Sequence, residues 1–239
     1  MIETLFMIAD STPIPTGDVL FLYDPATNKD LISDTICGAL KGSTSVDATF
    51  QIDGYDTLKF AAASAGAVLT FPTALSLNTL TEWTIEWSSR PTTIGSTYFT
   101  ELFLDTVPAS GIPLGCRWTD SGYGDKMQFN AADFNNLRLW RAAETKASAV
   151  NKLTRYSMVY KGGAIRVYKD GVLQMLANGV EGGSSTSQTF IPKTQAWPVF
   201  ANLTLGWFNA GNTAWLGNFG RIRISNFARY LGNHTPAPF

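Results

Sequence analysis

Two glutamates four residues apart are the first feature of this chain that could do chemistry. In Glu82-Trp83-Thr84-Ile85-Glu86 polar and apolar residues alternate. A strand here puts Trp83, Ile85 and Trp87 on one face and Glu82, Thr84, Glu86 and Ser88 on the other. Two carboxylates on one strand face can serve a retaining glycosidase as nucleophile and general acid. That chemistry needs the pair to titrate apart. The residue midway between them is Thr84, not an acid, so nothing obvious separates their acidities. Ordinary solvent-facing glutamates and no hydrolase activity are the expectation.

Other reactive groups are few. His234 is the single histidine and lies in a Pro-rich segment, which suits a surface or interface side chain better than a general base. Cys37 and Cys116 are far apart in sequence and are expected as free, buried thiols. Those three residues do not make a zinc site without carboxylates of unknown position, so no metal is expected. No Gly-rich loop leads from a strand into a helix to cradle phosphate, and no cofactor is expected. A formal net charge of −1 gives no nucleic-acid footprint.

Two aromatic loops suit recognition instead. Trp207 and Trp215 flank Phe208-Asn209-Ala210-Gly211-Asn212-Thr213, and Trp118-Thr119-Asp120-Ser121-Gly122-Tyr123 is a second loop of the same kind. An indole can stack on a sugar ring while Asn209 and Asn212 bond its hydroxyls. The same residues, with Trp118 and Tyr123, equally suit a protein interface.

The elements that would position these groups are strands. Val19-Leu20-Phe21-Leu22-Tyr23 is a continuous apolar run, expected to be buried on both faces or nearly so. Further strands are expected at 58–60, 68–71, 83–87 (ended by Pro91), 98–104, 114–118, 126–129, 137–140 and 199–205. Residues 31–56 show only weak periodicity. Residues 141–150 suit a helical turn. Gly162-Gly163 and Asp170-Gly171 mark tight hairpin turns, making Arg155 to Leu173 a three-strand meander. The 239 residues fit one all-β domain.

Ahead of it, residues 1–16 read as an arm, broken by Pro13 and Pro15. Its apolar patch Leu5-Phe6-Met7-Ile8 is expected to pack on its own sheet or on a neighbouring subunit. No apolar run reaches the roughly 20 residues that span a bilayer. The N-terminus lacks a basic leader, so synthesis in a cytosol is expected.

The order of these pieces resembles the laminin-G-like, concanavalin A-type sandwiches of tailed-phage virion proteins. The resemblance runs from about Gly17 to Phe239. It is carried by Val19 to Asp24, Leu58-Lys59-Phe60, Val68-Leu69-Thr70-Phe71-Pro72, the Trp83 strand, and Met158-Val159-Tyr160 with Val167-Tyr168-Lys169-Asp170-Gly171. The closing run Gly217 to Phe239 completes it, with Arg221-Ile222, Ala228-Arg229-Tyr230 and Thr235-Pro236. The resemblance implies an antiparallel concanavalin A-like jelly roll over 17–239. It implies a non-catalytic virion structural protein, either a capsid decoration subunit or tail-associated, assembled in a host cytoplasm. Implied partners are other virion proteins, further copies of the chain, and a host-surface or mucosal glycan. The alternatives are a carbohydrate-binding tail adhesin and, through the superfamily's glucanases, a glycoside hydrolase. Two departures stand out. Arg155-Tyr156-Ser157 replaces the family's Trp-x-His, and Gly220 stands where an acid often precedes Arg-Ile. Losing that acid weakens the case for calcium.

Overall fold

Alternating apolar residues interrupted by Gly, Pro, Asn and Asp produce short strands and tight turns along this chain. The computed structural model describes residues 19–25, 39–42, 46–52, 55–60, 67–94, 99–105, 114–119, 126–131, 139–178, 187–188, 191–192, 197–206 and 215–236. The expected arm, 1–16, and Cys37 lie outside the described residues.

The strands are β1 (Val19–Tyr23), β2 (Ala39–Gly42), β3 (Val46–Ile52), β4 (Tyr55–Phe60), β5 (Ala67–Leu75), β6 (Glu82–Ile94), β7 (Phe99–Asp105), β8 (Leu114–Trp118) and β9 (Lys126–Ala131). They continue as β10 (Leu139–Thr145), β11 (Thr154–Lys161), β12 (Ala164–Lys169), β13 (Val172–Leu173), β14 (Leu176–Asn178), β15 (Ser187–Gln188), β16 (Ile191–Pro192), β17 (Phe200–Leu205) and β18 (Trp215–Ser225). One helical turn, α1 (Lys146–Ala149), follows β10 within the expected stretch, capped by Thr145 and Ser148.

The strands form two antiparallel sheets. The first runs β13-β12-β11-β6-β18-β4-β3, with β1 beside β18 and β16 beside β12. The second runs β15-β14-β10-β9-β8-β7-β17-β5-β2. The two face each other across a single buried cluster, to which Phe21, Trp83, Ile85, Trp87, Phe219 and Ile222 come from the first sheet. Leu69, Leu104, Cys116, Trp118, Phe129 and Leu203 come from the second. The molecule is thus a β-sandwich of the jelly-roll kind.

The expected meander is present as β11-β12-β13. Its turns have left-handed backbones at Gly162 and Gly163, and at Asp170 and Gly171, as primed hairpin turns require.

Three local expectations are corrected. First, β1 is not buried on both faces: Leu20 is 36% exposed. The strand alternates instead, sending Phe21 and Tyr23 into the core and leaving Leu20 and Leu22 partly or fully exposed on its other face. Second, β6 does not stop at Pro91 but continues to Ile94. Pro91 sits at a register shift opposite Gly217, and its carbonyl accepts from the Asn151 amide at 2.7 Å. A bulge tolerates the missing donor. Third, the weakly periodic stretch 31–56 contributes β2, β3 and the start of β4. Pairing with neighbours overrides its poor local pattern.

A bulge also explains a carboxylate in the core. Thr100 faces Arg117 and Leu102 faces Cys116, which leaves Glu101 as the extra residue of β7. Its carboxylate points between the sheets and accepts from the indoles of Trp87 at 3.0 Å and Trp118 at 2.8 Å, and from the Ser89 hydroxyl. Those donors satisfy a group that is costly to bury alone.

Candidate functional site

Both outer faces of the sandwich carry polar rows, and the two differ in what engages them. On the first sheet, register aligns Arg223, Glu86, Ser157 and Tyr168 across β18, β6, β11 and β12. Sequence alternation suggests a solvent-facing row here, but Thr84 and Glu86 are 0% and 3% exposed. The segment after β18, residues 226–236, crosses this face as a strap. The Thr84 hydroxyl donates to the Phe227 carbonyl at 2.8 Å and accepts from the Arg229 amide at 3.0 Å. At the far end the His234 amide donates to the Gly171 carbonyl at 2.9 Å. The Asn233 side chain there takes the Leu173 amide, also at 2.9 Å.

The strap converts Glu86 into a hub. Arg223 Nε donates to Oε2 at 2.8 Å and Arg229 Nε lies 3.2 Å from the same oxygen. The Tyr230 hydroxyl donates to Oε1 at 2.7 Å. Burial, then the Glu86 charge, pushes the Tyr230 phenol up to about 12. The His234 ring stacks on Tyr230 with centroids 3.5 Å apart. Burial draws the His234 imidazole below its ordinary value. A cleft bordered by Glu86, Arg155, Ser157, Tyr230 and His234 has room for about one water.

Glu82 pairs with Lys161 at 2.9 Å. The Lys161 hydrogen bond holds that carboxyl below its usual range. Each glutamate of the pair is therefore held by its own cations.

On the second sheet the row is made of amides and hydroxyls. Met127 and Phe129 join the core, so Gln128 and Asn130 take the opposite face of β9. Gln128 is paired with Arg117 and Asn130 with Gly115 on β8. Arg117 Nε donates to Gln128 Oε1 at 3.0 Å. On β17, Asn202 and Thr204 share the corresponding face, and Asn202 accepts from the Thr70 hydroxyl at 3.0 Å. Gln128 Nε2 and both amide atoms of Asn130 have no hydrogen-bond partner, although neither residue is exposed.

The residues singled out in sequence separate accordingly. Trp118 is corrected: it is the last residue of β8, fully buried, with its indole bonded to Glu101. The inward alternation of β8, which also buries Leu114 and Cys116, places it there and removes it from any ligand surface. Trp215 begins β18, its backbone opposite Ile94, and its side chain lies outside the described residues. Trp207, Asn209, Asn212 and Tyr123 lie outside them too, as do Leu5, Phe6, Met7 and Ile8. Trp83 and Trp87 are core residues, as their alternation predicts. Gln128 and Asn130 went unnoticed, yet alternation in Lys126-Met127-Gln128-Phe129-Asn130 already separates polar from apolar positions. Among the described residues no cluster of His, Cys, Asp and Glu is arranged to hold a metal.

No protein-family model and no curated protein sequence matches the chain. Solved structures do match it in fold. The binding domain of botulinum neurotoxin serotype D aligns with TM-score 0.62 at 8% identity, over 91% of this chain and 50% of that one. Trypanosoma rangeli sialidase in complex with sialic acid gives TM-score 0.57 at 10% identity, over 92% of this chain and 32% of that one. This chain therefore spans a third to a half of those longer proteins. Domain 4 of AbnA, a GH43 extracellular arabinanase from Geobacillus stearothermophilus, in complex with arabinotriose, gives TM-score 0.52 at 12% identity. There the match covers 88% of this chain and 93% of that one. At such identities the likeness concerns the fold.

Proposed function

We propose that this chain is a non-catalytic binding module of a bacteriophage virion, in which a lectin-like sandwich holds carbohydrate and contacts other virion proteins. The observation that carries the carbohydrate part is the match, over nearly its whole length, to a separate domain solved with arabinotriose. The state of Glu82 and Glu86 supports the absence of catalysis. A retaining pair needs one free nucleophile and one proton-carrying acid. Glu86 instead lies under the strap against two arginines, and Glu82 faces Lys161. The phage setting rests on the sequence resemblance, whose Ala228-Arg229-Tyr230 signature supplies the strap contacts to Glu86. Contact with other virion proteins, further copies included, is assigned to the arm at Leu5 to Ile8 and to the loops around Trp207 and Trp215.

A glycan array probed with the full chain tests the module, together with incubation on β-glucan and arabinan. Reproducible oligosaccharide binding without release of reducing ends is expected. Release that Glu86→Gln abolishes restores the hydrolase alternative, and an array without a single hit removes the carbohydrate reading. Deleting residues 1–16 should leave a folded sandwich that no longer joins particles; normal assembly without the arm refutes the anchoring role.

A further inference from the structure

We infer that the ligand is an acidic glycan, and that its carboxylate or sulfate groups are held by Arg155 and Arg90 on the outer face of the first sheet. This rests on the carbohydrate-binding reading and places the site beside the strap, away from the tryptophan loops.

Alternation and register bring the two arginines together. Tyr156 and Met158 on β11 join the core, so Arg155 and Ser157 take the outer face. Trp87 and Ser89 on β6 both reach inward to Glu101, so Ser88 and Arg90 point outward. Arg155 stands opposite Ser88, and Arg90 lies two residues farther along the same strand. One strand spacing and two residue rises put their Cα atoms about 8 Å apart. Across Ser88 comes Gly220, where a Cβ would strike the Ser88 hydroxyl, so no side chain rises there. Both arginines are partly exposed, and a ligand reaches them directly from solvent.

Charge defines the ligand. The described acids of this face already have cations. Glu86 meets Arg223 and Arg229, Glu82 meets Lys161, Asp24 meets Arg221, and Asp170 at the adjoining turn meets Lys152. Arg155 and Arg90 have no acidic partner among the described residues. Arg90 Nε donates to the Asn151 carbonyl at 3.2 Å, which leaves its two terminal nitrogens for an anion. The result is a local excess of positive charge on a chain whose formal net charge is −1. Guanidinium forks match the paired oxygens of a carboxylate or sulfate.

The cleft at the edge of the strap adds shape. Arg155 and Ser157 border it with Tyr230 and His234, and its room for about one water is also room for one carboxylate or sulfate oxygen. An acid group seated there against Arg155 leaves its sugar over Ser88 and Gly220, toward Arg90. Glu86 borders the cleft too, but two arginines and the Tyr230 hydroxyl already engage its carboxylate and offset its repulsion.

The experiment uses the full chain on an array of neutral, sialylated, uronic acid-containing and sulfated glycans, followed by calorimetry on the strongest acidic hit. Acidic glycans are expected to bind ahead of neutral ones, and more weakly as salt rises. Affinity is expected to fall about tenfold or more in both Arg155→Gln and Arg90→Gln, with melting temperatures near the wild-type value. Arg166→Gln removes a cation of the same sheet face, opposite Val159 and away from the cleft, and is expected to leave affinity unchanged. An equal fall in that variant means that overall charge alone is read, and overturns the site. So does equal binding of a DNA duplex. Acidic hits that survive both glutamine variants, or hits confined to neutral glycans, overturn the inference while leaving the carbohydrate reading intact. A wild-type chain that binds nothing removes both.

Discussion

Replacing Glu86 with leucine tests whether the strap and the first sheet are joined by one buried charge. The Glu86 and Arg223 side chains are 4% and 3% exposed, and their nearest N···O distance is 2.6 Å. Arg229 and Tyr230 share the same carboxylate. Glu86→Leu leaves the Arg223 guanidinium buried without a counter-charge, which costs about 3–5 kcal/mol. For a domain of this size that lowers the melting temperature by roughly 6–20 °C. Glu86→Gln keeps the shape and part of the hydrogen bonding, and should cost about 1.5–3 kcal/mol. The double variant Glu86→Leu with Arg223→Met removes both charges and should recover most of the loss. Urea unfolding followed by tryptophan fluorescence gives the three values, provided the slope with denaturant stays constant. A cost below about 1 kcal/mol for Glu86→Leu is what an exposed ion pair gives, and would refute the hub. So would a double variant less stable than the single one.

Stability should fall at both ends of the pH scale. The folded state favours neutral His234, so its contribution is present above the ordinary histidine value near 6.5 and is lost as pH falls through the lowered one. The raised Tyr230 phenol contributes below its ordinary value near 10, a contribution lost as pH rises toward about 12. His234→Phe should flatten the acid arm of a melting-temperature profile and Tyr230→Phe the alkaline arm; unchanged arms would show that other groups titrate. Gly171→Ala should loosen the strap, since its φ is +78° and a Cβ would overlap the His234 carbonyl. Faster amide exchange at Arg229 and His234 in that variant is the readout, and wild-type exchange would count against the close approach. Burial, then the Glu101 charge, pushes the Cys116 thiol well above its ordinary value. It should therefore resist alkylation in the native chain and react only in denaturant, while labelling of native Cys116 would show an open core.

The sandwich was legible because its signals are local. Asp170-Gly171 can close a primed turn whatever surrounds it, and Trp83, Ile85 and Trp87 can face only one way on a strand. β2 is hard to read because it pairs with β5, farther along the chain, whereas β3 pairs with β4 directly after it, Ile52 opposite Tyr55, and the intervening Asp53-Gly54 is a hairpin signal that the weak periodicity around it obscures. Pro91 misled for a related reason: a proline removes one donor, and a register shift in the neighbouring strand can make that donor unnecessary.

The functional faces were harder to read because alternation gives the side a residue faces and not what lies over it. Glu86 and Asn130 both alternate away from the core, and both are buried. Over Glu86 the cover is 226–236, a Gly-, Asn- and Pro-containing segment that resembles an ordinary loop until Arg229 and Tyr230 are seen to meet one carboxylate. That contact spans 144 residues from Tyr230 to Glu86, and no spacing rule reaches so far. The two faces differ in bonding rather than in exposure. The Glu86 carboxylate is answered by groups of its own chain, whereas the Asn130 amide is answered by none.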